Sequence, residues 1–129
     1  MNIDQVCKRL QNLIKIRFEG HIGPIVIGIS GGQGSGKSTL CHILSEKLKI
    51  NKIPSVVLSL DDFYLTKSER EKLSKEIHPL AVKRGVPGTH DIDLLNRVLG
   101  FLRRQDCPLP IKLPSFEKGL DDRKPAKFW

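Results

Sequence analysis

Residues Gly31–Ser38 read G-G-Q-G-S-G-K-S and satisfy the phosphate-binding loop pattern G-x-x-x-x-G-K-[ST]. The chemistry of this pattern is the capture of a polyphosphate. Its glycines let the backbone wrap closely around phosphates with successive N–H groups pointing inward. A helix starting near Lys37 adds the positive end of its dipole. Lys37 is the candidate that reaches the β- and γ-phosphates, and the Ser38 hydroxyl is the candidate Mg²⁺ ligand. Gly31, Gly32, Gln33, Gly34, Ser35, Gly36, Lys37, Ser38 and Thr39 are therefore the expected nucleotide-binding residues, with ATP and Mg²⁺ as the implied cofactors. The alternative is a Gly/Ser-rich turn in some other α/β protein.

The flanking elements favour phosphate capture. Pro24–Ser30, P-I-V-I-G-I-S, is a nearly continuous apolar run of strand length ahead of the loop. After the loop, Leu40, Ile43, Leu44 and Leu48 recur with helical spacing. Strand, glycine loop, helix is the context in which the motif carries meaning.

A second acidic pair follows a second apolar run. Ser55–Leu60 reads S-V-V-L-S-L, with β-branched residues at its start, and Asp61 and Asp62 stand at its C-terminal end. In open parallel α/β sheets, ligands bind outside the carboxyl ends of the strands, so the loop and this pair are expected on one edge. A carboxylate beside a γ-phosphate either accepts the proton of an attacking hydroxyl or holds Mg²⁺. Paired acidic residues after a strand also serve as plain caps and turn formers. With the phosphate loop present, the functional assignment is preferred, and Asp61 joins Lys37 as a catalytic candidate and Ser38 as a metal candidate.

The remaining elements frame these residues. Residues 2–17 have the periodicity of an amphipathic helix, with Ile3, Val6, Cys7, Leu10, Leu13 and Ile14 on one face. Thr66-Lys67-Ser68-Glu69 matches a capping box and predicts a short polar helix to about Ile77. Residues 78–90 read as a loop containing Gly85, Pro87 and Gly88, and Asp91 as the cap of a helix carrying Ile92, Leu95, Val98, Leu99 and Leu102. Pro108 and Pro110 mark a break, Ile111–Leu113 reads as a brief strand, and Pro114–Trp129 as polar and irregular. The fold class that this order predicts is α/β, a three-layer P-loop sandwich on a parallel sheet.

Composition narrows the function classes. At 129 residues the chain is at most one small domain. Its net charge is +8, but the basic residues are scattered, so no nucleic-acid platform is expected. A basic balance also suits phosphorylated anionic ligands. No apolar stretch has the length of a membrane span, and no signal-peptide pattern opens the chain. Cys7, Cys41 and Cys107 are odd in number and far apart, so neither a zinc site nor a disulfide framework is indicated; reduced thiols in a cytoplasm are expected.

Four segments carry a family resemblance: G-I-S-G-G-Q-G-S-G-K-S-T-L, S-L-D-D-F-Y-L-T, R-G-V-P-G-T-H-D and L-P-S-F-E-K-G-L-D-D-R. In order and spacing, from about Ile25 to Trp129, they resemble the D-glycerate 3-kinase family and its ATP-dependent kinase relatives. That family sits within the P-loop small-molecule kinases that include uridine kinase, phosphoribulokinase and bacterial pantothenate kinase. The phosphate loop is shared by many NTPases; D-D-F-Y-L-T and R-G-x-P-G-T-H-D together are specific. The resemblance implies ATP-dependent phosphorylation of a hydroxyl on a small metabolite, with glycerate first and a nucleoside or pantothenate as alternatives. A further alternative is a nucleotide-binding fragment without catalysis.

Residue by residue, Asp61 matches the family's general base or Mg²⁺ contact, and Asp62 belongs to the same motif. Tyr64 matches an aromatic lining the acceptor pocket in uridine kinases; packing under the strand end is the alternative. Arg84, His90 and Asp91 lie where the acceptor side forms. Arg84 is suited to a bidentate grip on a substrate carboxylate, or is a solvated loop arginine. His90 bonds the acceptor or has a structural role before the helix, and Asp91 contacts substrate or is only the cap. Arg123 binds phosphate or substrate, or makes a surface salt bridge.

The departures are as informative. By the resemblance, family members are longer and continue beyond the segment matching Trp129 into a buried strand carrying E-G-W, lid arginines and an adenine-contacting loop. The chain is thus expected to be the N-terminal portion of one kinase domain, with residues 1–19 as an N-terminal helix and 24–129 as the core portion, truncated and without useful turnover alone. Two clear strands and one doubtful one fall short of a usual sheet, and unpaired apolar edges predict self-association.

Overall fold

The computed structural model describes residues 2–107 and 110–129, so the expected break at Pro108 lies outside the described residues. The chain divides into two compact units, Met1–Val57 and Leu58–Trp129.

The first unit is built on two helices. Helix α1, Ile3–Phe18, starts with a capping box: the Asn2 side chain accepts from the Gln5 N–H while the Gln5 side chain accepts from the Asn2 N–H. Helix α2, Lys37–Ile50, follows the glycine loop directly. The spacing of Leu10 and Ile14 on α1, and of Leu44 and Leu48 on α2, turns one stripe of each helix inward. Ile14, Leu44 and Leu48 are buried together, with Leu10, Ile25, Ile29 and Ile53 packed against them. Burying each such side chain stabilises by about 1.5–3 kcal/mol. An Asp4–Lys47 ion pair at 3.2 Å joins the helices at the surface.

The two apolar runs do not form the expected strands. Neither Pro24–Ser30 nor Ser55–Ser59 belongs to a strand ladder, and Leu60–Phe63 is a 3₁₀ turn. The physical reason is that a strand exists only through its neighbours, and among the described residues none pairs with these runs. Ile25 and Ile29 still pack on the helices, whereas Val26, Ile27, Val56 and Val57 are exposed. The runs keep an apolar character suited to a sheet interior without the ladder that would bury it.

The second unit is held around a hairpin that the sequence does not announce. Helix α3, Lys67–Glu76, begins with the expected Thr66/Glu69 capping box. A 3₁₀ turn, Pro79–Val82, packs against α3, so residues 78–90 are more ordered than a plain loop. Helix α4, Ile92–Leu102, is capped by Asp91, whose Oδ1 accepts from the Leu94 N–H at 2.8 Å. Ile111–Leu113 is not a strand. The pairing falls further on: β1, Phe116–Glu117, runs antiparallel to β2, Asp122–Arg123, with a turn at 118–121. Pro114–Trp129 is therefore not irregular, because Phe116 is buried and the Phe116 N–H donates to Asp62 Oδ1 at 3.0 Å. Ala126–Phe128 forms a last 3₁₀ turn. No helix among the described residues is long and apolar enough to cross a membrane.

Candidate active site

Glycine chemistry shapes the phosphate loop. Gly34 and Gly36 adopt φ of 74° and 82°, a region that a side chain strongly disfavours. Gly36 caps α2, and the Leu40 N–H donates to its carbonyl at 2.9 Å. Neither a side-chain cap nor an acidic residue occupies the first turn of α2, which leaves its N–H groups to an anion. A Cβ on Gly31 would stand 2.9 Å from Ser35 Oγ, so the loop closes on itself there. Lys37 Nζ folds back over the loop and donates to the carbonyls of Gly31 and Gly32, both at 2.7 Å. Its ammonium thus lies over the cradle, held by neutral acceptors. A phosphate oxygen, being charged, is the stronger acceptor for the same donor. Gln33, Ser35, Ser38 and Thr39 are exposed on or beside the loop.

The acidic pair lies in the second unit, where its two carboxylates take different partners. Ser59 Oγ accepts from the Asp61 N–H at 3.3 Å and shapes the 3₁₀ turn. Asp61 is half-exposed, and its Oδ2 accepts from Lys118 Nζ at 2.9 Å. That hydrogen bond, with the attraction of the Asp61 charge, holds the Lys118 ammonium above the usual lysine range. Asp62 is committed to the β1 backbone through Phe116.

The remaining candidates of this unit form one connected group. Tyr64 and His90 form an isolated antiparallel bridge, and their rings stack with centroids 4.2 Å apart. Tyr64 also meets the Phe116 ring edge to face at 5.5 Å, and it is buried. Asp91 combines its cap with an ion pair: Oδ2 accepts from Arg123 Nη1 at 2.8 Å. Burial alone would raise the Asp91 carboxyl, but the Leu94 N–H and Arg123 outweigh it and hold it below the usual value. Arg123 is mostly buried, also reaches Glu69 at 3.6 Å and is committed to these carboxylates, so a plain surface salt bridge does not describe it. Arg84 is no freely solvated loop arginine either. It donates to Asp121 Oδ1 at 2.6 Å and to the Lys118 carbonyl at 3.3 Å.

Arg70, Asp121 and Lys118 carry this group and escaped the sequence. Arg70 is fully buried on a helix whose other residues are largely polar. Its guanidinium donates to the carbonyls of Leu65 at 3.2 Å and Val82 at 2.9 Å, to the Asp121 carbonyl, and to Asp121 Oδ2 at 3.1 Å. Asp121 has φ of 52°, a left-handed position that Asp tolerates better than most residues. Burial would raise its carboxyl, but Arg84 and then Arg70 draw it below the usual value. Asp121 in G-L-D-D was a legible turn signal; nothing local marks Arg70 as buried.

Comparison with known proteins places this arrangement. The chain is 40% identical to the uncharacterized kinase mug58 of Schizosaccharomyces pombe over 98% of its own length and 46% of that protein. It is 36% identical to the chloroplastic D-glycerate 3-kinase of Arabidopsis thaliana, over 89% of the chain and 27% of that protein. This chain is a homologue of P-loop kinases of the D-glycerate 3-kinase kind. The solved structure of the YGR205w protein matches 95% of the chain and 46% of that structure with a TM-score of 0.78 at 37% identity, so the fold is the α/β P-loop type seen there. The chain spans about half the length of mug58 and of YGR205w. No family model matches it.

Proposed function

We propose that the chain supplies the phosphate loop and acceptor side of an ATP-dependent kinase that transfers the γ-phosphoryl group to a hydroxyl of D-glycerate or a close hydroxy-acid relative. The observation that carries the proposal is the phosphate loop: two left-handed glycines, a helix start without a side-chain cap and Lys37 poised over the cradle. The kinase homologues support the reaction class, and the D-glycerate 3-kinase among them favours glycerate as the acceptor.

The chain's own residues have definable tasks in this reaction. The loop amides and Lys37 bind and orient the triphosphate and stabilise the charge that shifts toward the leaving group. The acceptor hydroxyl oxygen forms a bond to the γ-phosphorus as the bridging bond to the β-phosphate breaks, releasing ADP. The hydroxyl proton passes to the Asp61 carboxylate. Mg²⁺ requires only one or two protein oxygens when phosphates and waters complete its shell. The hydroxyl of Ser38 is an oxygen donor of the right kind to hold it, and it would supply charge neutralisation on the phosphates. Tyr64, Arg84 and His90 frame the acceptor side, while Asp62, Asp91 and Arg123 hold that frame together.

Calorimetric titration with D-glycerate, uridine and pantothenate, each with and without ATP, tests the proposal. Saturable binding of ATP and of D-glycerate is the expected result. Binding of uridine or pantothenate in place of D-glycerate would reassign the acceptor, and no binding of ATP would refute the kinase function itself.

A further inference from the structure

We propose that Lys118 is the acceptor's specificity-determining residue: it takes the carboxylate of an anionic hydroxy acid and, in doing so, releases Asp61. The inference rests on the function proposed above and deepens it, by naming the group that selects an acid over a neutral alcohol.

The backbone around Lys118 is fixed far more firmly than its side chain. On one side, the Phe116 N–H is tied to Asp62. On the other, Asp121 is held in its left-handed conformation by Arg70 and Arg84. Arg84 also donates to the carbonyl of Lys118 itself. Buried Arg70 gives this clamp a rigid root, and Phe116 lies between, with the Arg70 and Arg84 guanidinium carbons 5.8 Å and 5.7 Å from its ring centroid. The Lys118 side chain, by contrast, is 63% exposed and donates to Asp61, itself 48% exposed.

An exposed pair of this kind is held weakly, because water solvates both partners and screens their attraction. A better-placed carboxylate exchanges with it at little cost. The ammonium has three donors and no fixed plane, so a substrate carboxylate can share or replace Asp61 as its acceptor. Arg84 stands beside the same turn and adds positive charge, though its fork is already committed to Asp121. When the acceptor's carboxylate occupies Lys118, Asp61 loses its cation partner and faces the acceptor's hydroxyl as a free base. A neutral alcohol lacks the group that makes this exchange. The geometry therefore couples acceptor charge to the availability of the base.

Amide chemical shifts of the 129-residue chain, titrated with D-glycerate and separately with glycerol, test the assignment. D-glycerate is expected to shift the Gly119 and Asp61 amides saturably, and glycerol is not. Lys118→Met should weaken D-glycerate by about tenfold or more, and Lys118→Arg should retain most of the affinity. Asp61→Asn should tighten D-glycerate, because it removes the competing carboxylate; a merely structural Lys118–Asp61 pair predicts no such gain. Because Lys118 is exposed, the variants should keep the wild-type amide dispersion. Unchanged D-glycerate affinity in Lys118→Met, or no gain in Asp61→Asn, overturns the inference and leaves the kinase proposal standing. Absence of saturable D-glycerate binding to the wild-type chain, with ATP still bound, overturns both the Lys118 role and the glycerate assignment.

Discussion

In the phosphate loop, the side-chain contact that sets the site spans six residues, from Lys37 to Gly31; in the hairpin network, the contact between Arg70 and Asp121 spans fifty-one. The first region is shaped by backbone: glycines at positive φ, a helix start and one lysine, all contiguous. The second is shaped by side chains from remote segments that meet on a buried guanidinium. The loop therefore needs little of the chain to take its form, whereas the hairpin network exists only once α3, the 79–82 turn and the hairpin have come together. Stability changes should concentrate on the buried arginine network of the second region and phosphate-affinity changes in the first.

The largest expected stability effect is from Arg70→Met. It leaves the Leu65 and Val82 carbonyls without this donor and Asp121 with Arg84 alone, and should cost about 3 kcal/mol, below the upper end for buried pairs because half-exposed Asp121 keeps Arg84 and can rehydrate. A urea melt measures it; a change under about 0.5 kcal/mol, the range of ordinary surface substitutions, would break the contrast between the two regions. Gly36→Val comes next. A β-branched residue at φ 82° should cost roughly 1–2 kcal/mol and displace the start of α2. It should weaken phosphate binding along with stability, as calorimetry with inorganic phosphate and a thermal melt would register. Thr66→Ala removes the side-chain half of the α3 capping box and should cost about 1 kcal/mol, with Asn2→Ala similar on α1.

The smallest signal is a pH dependence. Asp91 and Asp121 have folded-state values below the ordinary 3.8, so the unfolded chain binds their protons first. Their contribution is fully present above 3.8 and is lost as pH falls through the lower folded values. The urea midpoint should therefore drop as pH is lowered through this range. Arg123→Met, which removes the arginine on Asp91, and Arg84→Met, which leaves Asp121 with Arg70 alone, should flatten that drop; an unchanged slope in both would show that these carboxylates are not linked to folding through Arg123 and Arg84.

Legibility in the sequence followed the same division. The helices, the Thr66/Glu69 capping box and the Asp91 cap were readable because helical period and capping act over three or four residues. The loop was readable because Gly34 and Gly36 take backbone conformations that disfavour a side chain. The apolar runs at 24–30 and 55–60 read as strands on composition, yet a ladder depends on a partner that local residues do not specify. The β1–β2 hairpin was missed because its strands are two residues each, and its turn depends on Asp121 being held by arginines elsewhere in the chain. Arg84 and Arg123 were recognised as important cations, but their carboxylate partners lie 37 and 32 residues away and could not be paired from spacing. Arg70 gave no signal, because burial of an arginine on a polar helix is decided by what packs over it.

The most direct test of the account is a calorimetric titration of ATP into the wild-type chain and into Lys37→Ala. If the glycine loop is the phosphate site and Lys37 its charged member, the wild type binds saturably and the variant loses about tenfold or more in affinity while its thermal melt is unchanged. Lys37→Ala binding ATP as tightly as the wild type would contradict the assignment of the loop.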